Sequence, residues 1–203
     1  NDIRKENEKF NNEWISKKTL KGDSPLTLEE LNIPSEKQKN ANQFQVVWLQ
    51  NVVRLLDMLP TEVDISKYTL YDIGCGSGIS TLFFADEYGF SEYVGFDFSA
   101  ELIELAKNNL ELSQSKITNC HKINFEIGDV RSFKLPRKPL ILFLFNSVEG
   151  DLLTSFIERH LDNLKTTKSF LLYANDMCVE DLQVFSKDIV RDRAFNLSVI
   201  SFG

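Results

Sequence analysis

Cysteine is scarce in this chain and badly placed for either of its structural uses. Cys75, Cys120 and Cys178 are odd in number and widely spaced, which excludes a disulfide framework and matches no metal-ligand spacing. So sparing a use of thiols points to a reducing compartment, the cytoplasm. A surplus of positive charge is also missing: 23 Lys and Arg face 30 Asp and Glu, leaving a net charge of −7. A sequence-independent grip on nucleic acid needs a basic surface to displace counterions, so bulk nucleic acid is not an expected partner. No apolar run approaches the roughly 20 residues that span a bilayer, and no secretory signal is visible, so no membrane association is expected either. Of the two histidines, His160 shares an apolar helix face with Phe156, Leu161 and Leu164 and reads as a packed side chain, while His121 lies in a polar loop. What remains is an ordinary globular composition, 42% hydrophobic and 26% charged in 203 residues, enough for one well-cored domain and a small appendage.

Glycine is sparse as well, with nine residues, yet three of them crowd into Tyr-Asp-Ile-Gly-Cys-Gly-Ser-Gly at 71–78. A β-prone run, Thr69 to Ile73, meets Gly74, Gly76 and Gly78, and a helix-like stretch, Ile79 to Ala85, follows at once. Alternate glycines let the backbone turn sharply and let a ligand approach the main chain. The turn opens a helix whose free N–H groups and dipole favour an anion such as a carboxylate. This is a cofactor loop at the carboxyl end of a parallel strand. Cys75 inside it reads as a small buried thiol. The dinucleotide fingerprint GxGxxG needs its third glycine at position 79, which is Ile79; here the third glycine comes one residue early.

The pattern Asp72-x-Gly74-x-Gly76-x-Gly78 resembles motif I of the class I S-adenosylmethionine (SAM) methyltransferases. Tyr93-Val94-Gly95-Phe96-Asp97 resembles their second strand, whose terminal acid can accept hydrogen bonds from both hydroxyls of a ribose. The resemblance implies further roles. Gly74, Gly76 and Gly78 would hold the methionine end of SAM with Asp72 near its amino group. Asp97 would take the ribose, and Asp129 of Gly128-Asp129-Val130 the adenine amino group, with Phe98 covering the adenine face. A Gly-Asp turn and a core Phe are the plainer readings of those last two positions.

Around this unit the chain alternates strand and helix, as an open, mostly parallel α/β sheet does. Strands are expected at 69–73, 93–97, 123–127, 140–145 and 169–174, and helices at 78–86, 100–112, 149–164 and about 179–186. Gly89 and Ser99 read as helix caps. The run Leu140 to Phe145 is apolar at every residue, as a strand buried on both faces must be. Pro136 and Pro139 leave no room for a helix before it, and Ile189 to Phe202 reads as one or two final strands with an antiparallel edge. The expected architecture is a Rossmann-like doubly wound sheet of the seven-strand type, residues 61–203, behind an N-terminal helical cap, residues 1–60. In the cap, Phe10, Trp14 and Ile15 anchor one helix, Thr27 and Glu30 make a capping box, Pro34 ends that element, and helical spacing runs from Ala41 to Leu59. Small bacterial class I methyltransferases with a helical cap share this arrangement. That resemblance would set Phe44 near the sulfonium, where a ring face stabilises positive charge; a core Phe is the alternative.

The fourth strand runs into Asn146-Ser147-Val148-Glu149-Gly150-Asp151, the position of motif IV, where the methyl acceptor meets the cofactor in that family. Amino-methylating members often carry Asn/Asp-Pro-Pro-Tyr/Phe there; Asn146 matches the first residue, and the Pro and aromatic are absent. The Asn146 amide oxygen can accept from a substrate N–H, and Glu149 or Asp151 can act as a base or simply as N-terminal acids of the next helix. The sequence therefore predicts a SAM-dependent methyltransferase working by direct in-line displacement, without a metal, on a small molecule or a short protein segment. A catalytically silent SAM-fold binding protein and a nucleotide-dependent oxidoreductase are the alternatives.

Overall fold

A computed structural model describes residues 2–21, 45–148 and 150–203 of the chain. Seven strands form one sheet: β1 (Thr69–Ile73), β2 (Glu92–Asp97), β3 (Ile123–Ile127), β4 (Leu140–Phe145), β5 (Phe170–Ala174), β6 (Asp188–Asp192) and β7 (Leu197–Ser201). Their order is β3-β2-β1-β4-β5-β7-β6. The first five run parallel, β7 joins β5 antiparallel, and β6 closes the edge against β7. β1 and β4 lie side by side at the centre, where the strand order reverses; in open α/β sheets that switch point is where ligands bind.

The period-two alternation of each strand sorts its side chains onto two cores. Leu70, Ile141, Phe143 and Leu172 face a cluster shared with the helices α1 (Asp2–Lys18), α2 (Leu49–Asp57), α3 (Ile79–Glu87) and α4 (Ala100–Ser113). Tyr71, Ile73, Leu142, Leu144 and Leu171 face α5 (Gly150–Thr166), which contributes Leu153, Phe156, Ile157 and Leu164. Between β3 and β4 the chain crosses without a helix, as the prolines require. α5 supplies the missing hydrogen bonds: Asn163 Nδ2 donates to the Pro136 carbonyl at 2.8 Å, and the Leu135 N–H donates to His160 Nε2 at 3.2 Å. His160 Nδ1 lies 2.9 Å from the Phe156 carbonyl, so the ring is a neutral imidazole with both nitrogens engaged; burial lowers its pKa and keeps it so.

Three local expectations fail for identifiable reasons. Within the helical spacing expected from Ala41 to Leu59, the described residues 45–48 are not helical and the helix runs Leu49–Asp57, with Trp48 as an extended N-cap. Asn11 of α1 causes this: its Nδ2 donates to the Val47 carbonyl and its Oδ1 accepts the Leu49 N–H, both at 2.8 Å, holding the chain open before the helix starts. The segment expected as a helix at about 179–186 is a short 3₁₀ turn, Val179–Leu182, because the chain must turn into β6 by Asp188. Gly89 is no left-handed cap, since α3 ends on Tyr88 in extended conformation and Gly89 is not among the residues with positive φ. Ser99 does cap α4, its hydroxyl accepting the Leu102 N–H at 3.2 Å. Thr27, Glu30 and Pro34 lie outside the described residues.

α1 is fastened to the rest of the protein by a buried ion pair. Lys18 Nζ sits 2.5 Å from Asp86 Oδ2 at the end of α3 and also donates to the Lys116 carbonyl. Burial pushes the Asp86 carboxyl up, but Lys18 and the Thr118 hydrogen bonds together hold the acid below its usual range.

Candidate functional site

Every feature of the glycine loop follows from what must fit beside it. After Ile73 the chain passes through Gly74, Gly76 and Gly78, all at positive φ. At Gly74 a side chain is doubly barred: φ is +69°, and a Cβ would lie 2.2 Å from that of Ser147. At Gly78, with φ +78°, a Cβ would lie 2.6 Å from the Phe125 ring of β3. The third glycine thus stands at 78 because the helix start packs onto β3 there. The Gly74 and Cys75 N–H groups both donate to the Phe96 carbonyl, at 2.8 and 3.0 Å, and the Leu82 N–H on Gly78 begins α3. Cys75 is buried and its thiol is pushed well up, first by burial and then by Asp72 and Asp97, so it stays protonated.

Three acids stand at the ends of three adjacent strands. Asp72, 2% exposed, accepts the hydroxyls of Ser80 and Thr81 on Oδ2 at 2.6 and 2.7 Å, so β1 and the first turn of α3 share one carboxylate. Burial lifts its pKa to about 6; the two hydroxyls oppose the rise and Asp97 adds to it. Asp97, at the end of β2, is 7% exposed and accepts the Gly76 N–H on Oδ2 at 3.1 Å and the Ser99 N–H on Oδ1 at 2.9 Å. It therefore closes the glycine loop from below and turns the chain into α4. Burial raises its pKa against those amide bonds. The Gly128 N–H donates to the Asp97 carbonyl at 2.9 Å, which brings Asp129 alongside.

Asp129 has a neighbour the sequence reading passed over. Arg131 grips it, Nε lying 2.9 and 3.1 Å from the two oxygens and a terminal nitrogen 2.5 Å from Oδ2, with the Arg131 N–H also on Oδ1. The Val130 side chain packs into the core beside α5, and its carbonyl accepts from Arg159, so main chain rather than side chain is what Val130 offers here. Phe98 is half-buried directly after Asp97. Asn109 of α4 braces the loop from behind: its Nδ2 donates to the carbonyls of Ser77 and Lys21 at 3.0 and 2.8 Å, and its Oδ1 accepts the Lys21 N–H.

On the other side of the switch point stands Asn146, left-handed at φ +50° where β4 ends. Ser147 follows it, and its hydroxyl donates to the Ile73 carbonyl at 2.6 Å, so the altered motif is tied directly to the glycine loop. The Asn146 oxygen accepts from Nδ2 of Asn175, itself left-handed at φ +54° at the end of β5. Asn146 Nδ2 lies 3.5 Å from Gln45 Oε1. A substrate N–H on the Asn146 oxygen would thus share it with Asn175. Cys178 Sγ accepts the Gly150 N–H at 3.3 Å where α5 begins, and Asp151 lies exposed in its first turn. Phe44 and Glu149 lie outside the described residues. Among the described residues no group of three His, Cys, Asp or Glu side chains could hold a metal ion. No helix among them is long and apolar enough to cross a membrane.

Sequence reasoning missed Asn175, Ser147 and Arg131. Only Asn175 carried a usable signal, as a polar residue directly after an all-apolar strand, Phe170–Ala174.

Known proteins place this geometry. Residues 70–166 match the family model described as a methyltransferase domain. PH1948 of Pyrococcus horikoshii, a proposed RNA methyltransferase, superposes with a TM-score of 0.56 at 16% identity, covering 93% of this chain and 94% of its own. The ribosomal protein L11 methylase of Lactobacillus delbrueckii subsp. bulgaricus gives 0.51 at 14% identity, covering 77% and 76%. At such identities the likeness is one of fold. The uncharacterised protein RP028 of Rickettsia prowazekii (strain Madrid E) is 35% identical over 72 residues, 36% of this chain. That match spans only 27% of the curated relative's length. The motif I pattern stands at the switch point of a 3-2-1-4-5-7-6 sheet and the methyltransferase-domain match runs from β1 through α5, so over that span this chain is similar to the class I SAM-dependent methyltransferases.

Proposed function

We propose that this protein transfers a methyl group from SAM to an acceptor positioned beside Asn146. One observation carries the reading: the glycine loop after β1, closed by Asp97 from the end of β2, stands beside the motif IV turn at the β1/β4 switch point. The donor set fits the ligand's chemistry. SAM carries two cationic centres, a ribose diol and an adenine amino group, and the site offers carboxylates at Asp72, Asp97 and Asp129. When bound, SAM supplies an electrophilic methyl group on a sulfonium, which is a good leaving group. Asp72 and the loop Gly74–Gly76–Gly78 would take the methionine end, Asp97 the ribose, and Asp129, the Val130 main chain and Phe98 the adenine. Phe44 would lie toward the sulfonium and Glu149 toward the acceptor.

The chain's own contribution is alignment. Well-oriented reacting groups reach effective molarities of about 10⁵ M or more, and a direct displacement needs no covalent enzyme intermediate. Asn146 would orient the acceptor, and Ser147 and Asn175 hold Asn146 in place. We take residues 1–60 as a cap over a core of 61–203, and a small molecule or short protein segment as the acceptor, since the net charge of −7 disfavours a nucleic-acid surface. The names of the structural neighbours include acceptors of both kinds, protein and RNA.

Methyl-tritiated SAM incubated with the protein and separate small-molecule, RNA and protein fractions tests this. Label should enter the small-molecule or protein fraction with stoichiometric release of S-adenosylhomocysteine. Label confined to RNA would overturn the acceptor class. Tight binding of S-adenosylhomocysteine without turnover on any fraction would favour a catalytically silent binding protein.

A further inference from the structure

Away from the glycine loop, roughly 13 Å along α3 from Gly78 to Glu87, lies a cavity that the methyl-transfer site does not use. It measures about 330 Å³ and is lined by Phe10, Trp14, Val53, Phe83 and Tyr88, with Glu13, Lys17 and Glu87 among the lining residues. That is within the size range of small-molecule sites. Phe83, 1% exposed, is the buried floor. The other three rings stand nearly upright around it. Phe10 meets it at 73° with centroids 6.2 Å apart, Trp14 at 75° and 5.2 Å, and Tyr88 at 66° and 6.5 Å.

Aromatic faces carry the negative part of the ring quadrupole, and a box of such rings is the form in which proteins bind quaternary ammonium groups. The charges agree with this. Glu13 and Glu87 are both exposed, so their carboxylates can meet a ligand at the mouth without first being desolvated. Asp57 adds negative charge beside Tyr88, whose hydroxyl is pushed up to about 12, first by burial and then by Asp57 and Glu87. Opposing them, Lys17 is exposed at the lining, Lys9 lies 3.8 Å from Glu13 in a loose surface pair, and Lys18, its ammonium 5.9 Å from the Trp14 ring centroid, is paired with Asp86. Glu13, Glu87 and Asp57 against Lys9 and Lys17, with Lys18 cancelled by Asp86, leave a net negative charge that favours a cation, and the apolar walls favour one that sheds its water cheaply.

We propose that this cavity binds a small organic cation, an alkylammonium of about the size of tetramethylammonium or choline. The site is separate from the methyl-transfer centre and does not depend on the reading of that centre.

Tetramethylammonium chloride titrated into the full chain tests this, read through Trp14 fluorescence in a Trp48→Phe background so that one indole reports. The expected result is a saturable change that neither sodium chloride nor tert-butanol, the neutral isostere, produces. Glu13→Gln with Glu87→Gln should weaken it, and Phe10→Ala should cost about two- to thirtyfold in affinity. The far-UV circular dichroism and melting temperature of each variant should match those of the parent, which reports that the variant is folded. A response to tert-butanol equal to that of the cation would make this a plain apolar hollow and overturn the proposal. So would no saturable response in the parent chain, or full binding in the double Glu→Gln variant. Binding of an N-acetyl-lysine methylamide far tighter than that of choline or tetramethylammonium would assign the cavity to a partner's lysine side chain, and the free cation would be wrong.

Discussion

The two sides of the switch point are built on different principles. At the ends of β1, β2 and β3 the site is made by backbone and acids: three left-handed glycines, an N–H on Asp97, and hydroxyls of α3 on Asp72. At the ends of β4 and β5 it is made by amide side chains reaching across the chain, Asn146 to Asn175 and toward Gln45. The first side has little freedom to vary, because Gly74 and Gly78 are barred a side chain by Ser147 and Phe125. The second rests on side-chain hydrogen bonds, with Ser147 tying it to the Ile73 carbonyl. On the proposed reading, a cofactor half fixed by backbone and acids beside an acceptor half fixed by side-chain hydrogen bonds would let one fold serve many acceptors with one methyl donor.

Substitution should therefore cost most on the first side. Gly78→Ala must place a Cβ at φ +78° and 2.6 Å from the Phe125 ring. Strain and overpacking together predict a loss of about 2–5 kcal/mol in unfolding free energy. Denaturant melts of Gly78→Ala beside Asn146→Gly, which keeps a residue suited to the left-handed position, give the contrast. Equal losses would erase the distinction between the halves.

A second effect is a pH dependence confined to the first side. The Asp72 pKa is raised from 3.8 to about 6, so the folded state holds that proton more tightly than the unfolded chain does. Its contribution to stability is complete below about pH 4 and is lost as pH rises through about 6, a swing of roughly 3 kcal/mol at about 1.4 kcal/mol per unit. Asp72→Asn removes this titration. The stability difference between parent and variant should move by about that amount between pH 4 and 7, the parent losing ground as pH rises. A difference independent of pH would show that Asp72 does not carry the burial described.

Asp97→Ala comes next. The carboxylate accepts two buried N–H groups, so its loss weakens the loop and, on the proposed reading, removes the ribose contact. Hydrogen bonds to a charged group contribute about 1.5–3 kcal/mol, and affinity for S-adenosylhomocysteine should fall roughly tenfold to a hundredfold. A folded variant with unchanged affinity would remove Asp97 from the cofactor site. The smallest effect on cofactor binding belongs to the other side. Asn146→Gly and Asn175→Ala should keep that affinity within about threefold, a difference under about 0.7 kcal/mol. Transfer to an identified acceptor should nevertheless drop.

The same contrast explains what could be read in advance. All five parallel strands stood out in the sequence; β4 is apolar at every residue, as a strand buried on both faces must be, whereas the edge strand β3 buries only Phe125. The glycine loop was legible because Gly74, Gly76 and Gly78 all take a positive φ, a conformation that favours glycine and so shows in the residue type itself. Asn11 was not legible as the reason helix α2 begins at Leu49, since its partners lie 36 and 38 residues on. Nor was the Asn175 bond to Asn146, which depends on β5 lying beside β4. Arg131 lies two residues from Asp129, but nothing in a Gly-Asp-Val-Arg run says that the guanidinium will fold back onto the carboxylate. Periodicity and steric exclusion write themselves into a sequence, whereas side-chain hydrogen bonds between distant segments do not.

The central claim is that the glycine loop and Asp97 serve SAM, and calorimetry on the purified protein tests it most directly. S-adenosylhomocysteine and SAM should both bind at one site per chain, and NAD should produce no measurable heat. Heat with NAD and none with S-adenosylhomocysteine would contradict the account at its root.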